Sequence, residues 1–198
     1  MLCVYRRGVT RPEIRTLRDA ASLAALAHPF RSRIMDALKV DGPSTATALA
    51  ARTGQAVGNA SHHLKVLAEA GLVEEAPELA RDRRERWWRL VSIGTRWSAT
   101  ELDDDPAAAA AAQEAEALLL RRQVERVTGW LANEGTAPEW DEAAYATQNW
   151  LRLSPAELRE VSEAVIGVFQ QWADREIPDD GVEREPVLVF SRGFPCQP

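Results

Sequence analysis

The sequence predicts a mainly α chain with a little β structure, an α+β protein, on three observations. Ala60, Leu64 and Leu67 recur at i, i+4 and i+7, one face of a helix, and a short apolar-periodic segment from Thr45 to Arg52 precedes them across Thr53-Gly54. An arginine-rich hairpin follows, ending Glu85-Arg86-Trp87-Trp88-Arg89-Leu90. A run rich in Ala, Leu, Glu, Arg and Gln then extends from Ala107 to about Asn133. Helix, tight turn with glycine, helix and two-stranded wing, in that order, predict a winged helix-turn-helix. The expected organisation is that domain over residues 13–97, a long helix over 103–135 and a small α+β domain over 136–198.

The elements follow in order. Residues 1–12 read as a solvated arm carrying Arg6, Arg7 and Arg11, and Glu13 to Leu17 alternates as a short strand does. Asp19 caps a helix running to about Ala27, with Ala20, Leu23, Ala24 and Ala27 on its inner side. Pro29 suits the first turn of the next helix, whose buried face is Phe30, Ile34, Ala37 and Leu38. Its Arg31 and Arg33 are either solvated and paired within the chain, the favoured reading, or contacts to a phosphate backbone. Asp41-Gly42-Pro43 turns the chain, and Ser44 is the expected cap of the first helix of the motif. Gly71 sits where a left-handed C-cap belongs, and Leu72-Val73 opens the wing. In the wing, Trp88 and Leu90 are expected to pack on the core, and Arg89 to pair with the glutamates at 74, 75 and 78.

Beyond the wing, Asp105 caps the long helix with Pro106 at its first position, and Gly135 stops it. Leu120, Val124, Val127 and Leu131 form a stripe on it, expected to join two copies of the chain; the bland alternative is packing within one chain. Leu151 to Leu153 is a short strand candidate. Ser154-Pro155-Ala156-Glu157 is a capping box opening a helix to about Asp174, with Leu158, Val161, Val165, Val168, Phe169 and Trp172 expected inside. Residues 186–190, Pro-Val-Leu-Val-Phe, read as a buried strand stopped at Gly193.

The second helix of the motif has a short, polar, mostly uncharged outer face. Gly58, Asn59, Ser61, His62 and Lys65 lie off its apolar side, as suits a helix whose first turns enter a major groove. Thr45 is placed to meet a phosphate through backbone amides and its hydroxyl. Arg83 and Arg84 at the wing tip, with Arg86, are expected to reach phosphate or the minor groove. The bland reading of the two helices is an ordinary helical domain, and of the arginines pairing across the hairpin.

Two runs carry a family resemblance. His28-Pro29-Phe30-Arg31-Ser32-Arg33-Ile34-Met35-Asp36-Ala37-Leu38, and the run from Ser61-His62-His63-Leu64-Lys65 to Ala70-Gly71-Leu72-Val73, resemble the ArsR-type transcriptional regulators, over roughly residues 13 to 97. The resemblance implies a homodimer on a partly palindromic operator in double-stranded DNA, acting as a repressor relieved by a ligand. It implies DNA-facing positions at Asn59, Ser61, His62 and Lys65, and a partly buried His63. Two departures stand out. The metal-sensing branch carries a Cys-Val-Cys-type pair in the helix before the turn, whereas Thr45 to Arg52 here holds no Cys, His or acid, so no metal site is expected. Ala56 stands where a Ser or Thr N-cap is usual. Extended members of the family are similar in the second half, but less specifically.

Charge separates the halves. Residues 1–99 hold 16 Arg+Lys against 10 Asp+Glu, and residues 100–198 hold 8 against 20, so +6 and −12 make the net −6. The basic half is the half that holds the motif, as phosphate binding requires. Cys3 and Cys196 have no ligand spacing and read as free thiols of a cytoplasmic protein, though a bridge between them stays open. No apolar run suits a membrane span, and the first residues lack a signal-peptide core. There is no G-x-G-x-x-G after a strand, P-loop, G-x-S-x-G or Ser/His/Asp set, so neither an enzyme nor a cofactor is expected. The rival class is an interaction or dimerisation module that uses the winged helix without DNA. Trp130, Trp140, Tyr145, Trp150, Phe169 and Trp172 are either core aromatics, the favoured reading, or the lining of a pocket for an apolar small-molecule effector.

Overall fold

The computed structural model describes residues 15–197 apart from Arg83, Ile93, residues 98–101, Asp103 and residues 134–136. The N-terminal arm with Cys3, the wing-tip Arg83 and the helix stop at Gly135 therefore lie outside the described residues. The chain divides into two compact units, Met1–Thr136 and Ala137–Pro198.

The first unit begins with β1 (Arg15–Thr16) and α1 (Ala20–Leu26). Asp19 caps α1, its Oδ1 accepting from the Ser22 N–H at 2.7 Å. The inner side of α1 is Ser22, Leu23 and Ala25, and Ala24 is exposed, contrary to the expected face. The shift has a physical reason: the Ser22 hydroxyl donates to the Ala70 carbonyl at 3.1 Å, so a polar side chain is buried with its bond satisfied.

In α2 (Pro29–Asp41), proline occupies the first turn, and Phe30, Ile34, Met35, Ala37 and Leu38 are buried. Next come β2 (Ser44–Thr45) and α3 (Ala46–Thr53). Thr45, not Ser44, caps α3: its Oγ1 accepts from the Ala48 N–H at 3.2 Å. Ser44 is instead committed to the sheet, paired with Trp88. Gly54 ends α3 at φ +66°, the left-handed region that glycine occupies without steric cost, and α4 (Val57–Glu69) starts three residues later.

The wing is β3 (Val73–Glu75) and β4 (Trp87–Leu90), with a single 3₁₀ turn at Pro77–Leu79 between them. It is antiparallel, with Val73 opposite Leu90 and Glu75 opposite Trp88. β2 adds on the far side of β4, giving the order β2-β4-β3. β5 (Thr95–Arg96) pairs parallel with β1, which ties the start of the head to the segment after the wing. Leu17, Leu23, Ile34, Leu49, Leu64, Leu67, Leu72 and Val73 are fully buried in one core, on which Trp88 packs. Each such side chain contributes roughly 1.5–3 kcal/mol.

The long helix α5 (Pro106–Leu131) is capped by Asp105, whose Oδ1 accepts from the Ala107 and Ala108 N–H groups at 3.0 Å. Its alanine-rich half packs closely on α1, burying Ala108, Ala111, Ala112, Ala115 and Leu118. Leu120, Val124, Val127 and Leu131, farther along, are exposed. The two readings of this helix thus divide along its length: the first half is intramolecular core, and the second presents an uncovered apolar stripe.

In the second unit, α6 (Pro138–Ala143) was not foreseen, although Pro138 at its first position with Glu139 and Asp141 in the first turn is a start signal. α7 (Pro155–Asp174) carries the expected capping box: the Glu157 N–H donates to Ser154 Oγ at 3.3 Å, and the Ser154 N–H donates to Glu157 Oε2 at 2.7 Å. Two expectations are corrected here. No residue of α7 is fully buried: Leu158, Val165 and Phe169 are half-buried, Val161 and Val168 are exposed, and Trp172 is 63% exposed. Residues 151–153 and 186–190 have no regular secondary structure and no ladder partners, so among the described residues the strands of this α+β protein belong to the head. Apolar pattern alone does not close a core; a strand needs a neighbour for its N–H and C=O groups, and a helix face needs a second layer.

Candidate nucleic-acid interface

α4 is fixed from beneath. Ala60, Leu64 and Leu67 have no exposed surface, and His63 is buried beside them. Gly58, Asn59, His62 and Lys65 are consequently turned outward and exposed, and Ser61 is half-buried at the edge of the same face. A Cβ added at Gly58 would meet nothing within 4 Å, so the backbone there is open to close approach. Ala56 supplies no side-chain cap, leaving the first amides of α4 without a side-chain acceptor from that position.

Two neighbours organise this face. The Asn59 amide donates from Nδ2 to Gln55 Oε1 at 3.1 Å. Gln55 was not among the sequence candidates; it sits in the turn just before α4, and only the backbone path through Gly54 brings it alongside Asn59. The amides of Gln and Asn both suit adenine in the major groove. Beneath, His28, Phe30, His62 and His63 form a ring cluster: the His63 centroid lies 4.5 Å from His28, 5.0 Å from Phe30 and 5.1 Å from His62. His28 Nδ1 accepts from the Phe30 N–H at 3.1 Å and so caps α2 as a neutral ring. Burial lowers the pKa of His63, with further depression from His28 and Arg31; burial first, then Arg31, lowers that of His28.

Thr45 lies at the start of α3, half-buried, its hydroxyl occupied as a cap. In the wing, Arg84 and Arg86 are exposed, and Arg83 lies outside the described residues. Arg86 pairs with Glu75 at 3.4 Å. Arg89 bonds Glu74 at 2.7 Å and also Glu78, and the Glu74 contact holds the guanidinium above its usual pKa. The tip is shaped by acids: Asp82 accepts from the Arg84 and Glu85 N–H groups, and Glu85 from the Arg81 N–H, which lowers the Glu85 pKa.

Arg31 and Arg33 serve the fold. Arg31 donates to the Ala25 carbonyl at 2.6 Å and the Ala24 carbonyl at 2.9 Å, at the end of α1, and Arg33 to the Thr53 carbonyl at the end of α3. Cations at helix C-termini satisfy orphan carbonyls and oppose the dipole. Of the aromatic candidates, Trp130 belongs to the first unit. Trp140, Tyr145, Trp150, Phe169 and Trp172 belong to the second, where Tyr145, Trp150 and Trp172 stand open to solvent and Arg175 lies 4.7 Å over the Trp172 ring. No group of three or more His, Cys, Asp or Glu suited to a metal ion occurs among the described residues. No described helix is long and apolar enough to cross a membrane.

Comparison with known proteins agrees with this geometry at the level of the domain. Residues 26–76 match the family model described as a helix-turn-helix domain. No curated protein matches. A solution structure of the homodimeric winged helix-turn-helix DNA-binding domain of a possible ArsR-family transcriptional regulator from Mycobacterium bovis is 23% identical, over 60% of this chain and 84% of that one, with a TM-score of 0.33. ZitR of Lactococcus lactis, solved as a double mutant, is 14% identical over 78% of this chain and 75% of that one, with a TM-score of 0.28. A helix-turn-helix is the reading head of DNA-binding transcription regulators. Residues 26–76 of this chain match a helix-turn-helix domain, and the strands packed on it make the head a winged helix-turn-helix, as the order of helix, glycine turn, helix and hairpin in the sequence predicts.

Proposed function

We propose that the chain is a sequence-specific transcription regulator that binds a partly palindromic operator as a homodimer and represses from it. The observation that carries this reading is the outer face of α4. Gly58, Asn59, His62 and Lys65 are exposed immediately after a left-handed turn, with the apolar side locked into the core behind them. Asn59 and Lys65 are base-reading or phosphate-reading groups on such a face, Ser61 and Thr45 flank it, and Arg84 and Arg86 extend the basic surface along the wing. The exposed stripe Leu120, Val124, Val127 and Leu131 supports the homodimer, because a two-fold operator needs a two-fold protein. The protein works in the cytoplasm, and a non-metal small molecule relieves repression. Trp130, Trp140, Tyr145, Trp150, Phe169 and Trp172 are the candidates to report or contact an apolar effector.

A gel shift of the full chain against the DNA upstream of its own coding sequence tests the reading. The expected result is a discrete shifted band that unrelated DNA of equal length does not compete away, and that Asn59→Ala with Lys65→Ala abolishes. Binding indifferent to sequence, or unchanged in that double variant, overturns it. A screen in which no apolar compound changes tryptophan emission or operator affinity removes the apolar effector.

A further inference from the structure

Between α2, α3 and the second half of α5 lies an open cleft of about 230 Å³, lined by Arg33, Asp36, Ala37, Val40, Arg52, Thr53, Arg122 and Arg126. Four of those eight residues are arginines and one is an aspartate. Asp36 is shared: Arg122 bonds it at 2.8 Å and Arg126 at 2.6 Å. Arg122 is 91% buried and also donates to the Ser32 hydroxyl, so its guanidinium is fixed in the wall rather than free to leave. Arg52 is turned by Asp41 at 3.0 Å, and Arg33 is held by the Thr53 carbonyl. Counting Asp41 as well as Asp36, two positive charges remain uncompensated around one concavity. A guanidinium has five N–H donors, and the bonds just named use one or two of each.

We propose that this cleft binds a small organic oxyanion, one bearing a phosphate or carboxylate group. Planar guanidinium forks match the paired oxygens of such groups, and a concave site of one sign concentrates the opposite charge. Ala37 and Val40 on the wall suit a short apolar body attached to the anionic head. The volume limits the ligand to about ten non-hydrogen atoms, well below a drug-sized occupant. Part of the argument concerns place. Thr53 is the last residue of α3, one step before the turn into α4, and Arg122 and Arg126 lie on the half of α5 that carries the exposed stripe. An anion bridging Arg33 and Arg52 to Arg126 would tie the helix before the reading helix to the long helix. That this alters DNA affinity rests on the function proposed above; that the cleft takes an oxyanion does not.

The test is calorimetric titration of the full chain, without DNA, using inorganic phosphate and, separately, succinate, at ionic strength matched with sodium chloride. The expected result is saturable binding of one anion per chain, at least about tenfold weaker in Arg52→Gln and in Arg126→Gln. Both side chains are partly exposed, and an unchanged far-UV spectrum and urea midpoint would show that the variants fold. Tighter binding of phosphate or of succinate identifies which oxyanion the cleft prefers. Absence of saturable heat with both, or equal affinity in wild type and both variants, overturns the proposal. So does a pattern in which the variants lower only DNA affinity and its salt slope, which assigns these arginines to the DNA backbone. If phosphate binding depends on Arg52 but no operator is shifted, the cleft stands and the DNA-binding reading falls.

Discussion

Two glycines show how single residues separate fold from function. Gly71 has φ +65°, and a Cβ there would lie 2.8 Å from Arg15 Nη1, the group that donates to the Gly71 carbonyl. Gly71→Ala is expected to cost at least ~1–2 kcal/mol from the left-handed conformation alone, read as a lower urea midpoint. Gly58 is the opposite case: it is helical and open. Gly58→Ala should raise stability by up to ~1 kcal/mol through helix propensity, yet weaken operator binding by placing a methyl group on the reading face. Full operator affinity in that variant would remove Gly58 from the interface. The histidines give a pH dependence. His28 and His63 ionise near 6.5 when unfolded and lower in the head, chiefly because they are buried. Between those values the unfolded chain binds more protons, so stability rises with pH there. It is fully present above about pH 6.5 and is lost as the pH falls through the depressed folded values. Urea midpoints at pH 7.5 and 5.5 check this, the lower expected at 5.5; an equal or higher midpoint at 5.5 contradicts it.

At the scale of elements, α4 and the wing differ in how their exposed charge is committed. On α4 the outward face is polar and carries little charge, Lys65 apart, and holds none of the ion pairs seen on the wing. On the wing, Arg86 and Arg89 meet glutamates of the facing strand and the 3₁₀ turn, so part of the basic surface is neutralised in the free protein. Arg84 is exposed, and its own backbone N–H is engaged by Asp82, which fixes the chain at the tip. Arg84→Ala should therefore weaken binding to all DNA sequences alike and reduce the slope of log affinity against log salt by about 0.9. Anisotropy titrations at several salt concentrations measure that slope, and an unchanged slope excludes Arg84 from the phosphate contacts.

For the whole molecule, the uncovered stripe of α5 is the feature to explain. Leu120, Val124, Val127 and Leu131 are 40–57% exposed on a helix whose other half is sealed against α1. A contiguous apolar row of this kind is the surface through which the proposed homodimer would form. Val124→Glu places a charge in it, and the expected outcome is a change from dimer to monomer in sedimentation, with operator affinity falling at least about tenfold. A variant that remains dimeric, or a wild type already monomeric at high concentration, moves the interface elsewhere.

Local chemistry made the head legible in the sequence. Ala60, Leu64 and Leu67 set one buried face, Gly54 and Gly71 set two left-handed stops, and Asp19, Asp105 and Ser154 were readable as caps because each needs only its neighbours in the chain. The outward face of α4 was visible for the same reason, as the complement of a short apolar stripe. What only the tertiary structure decided depends on residues distant in sequence. Ser44 left its expected cap to pair with Trp88, Arg31 and Arg33 were claimed by helix carbonyls, and Arg122 met Asp36 across 86 residues. The apolar runs of α7 and of residues 186–190 carried the pattern of burial, but the first is only half-buried at Leu158, Val165 and Phe169 and the second is exposed. A pattern states which side should be covered, and only the partner surface, near in space but not in sequence, can cover it.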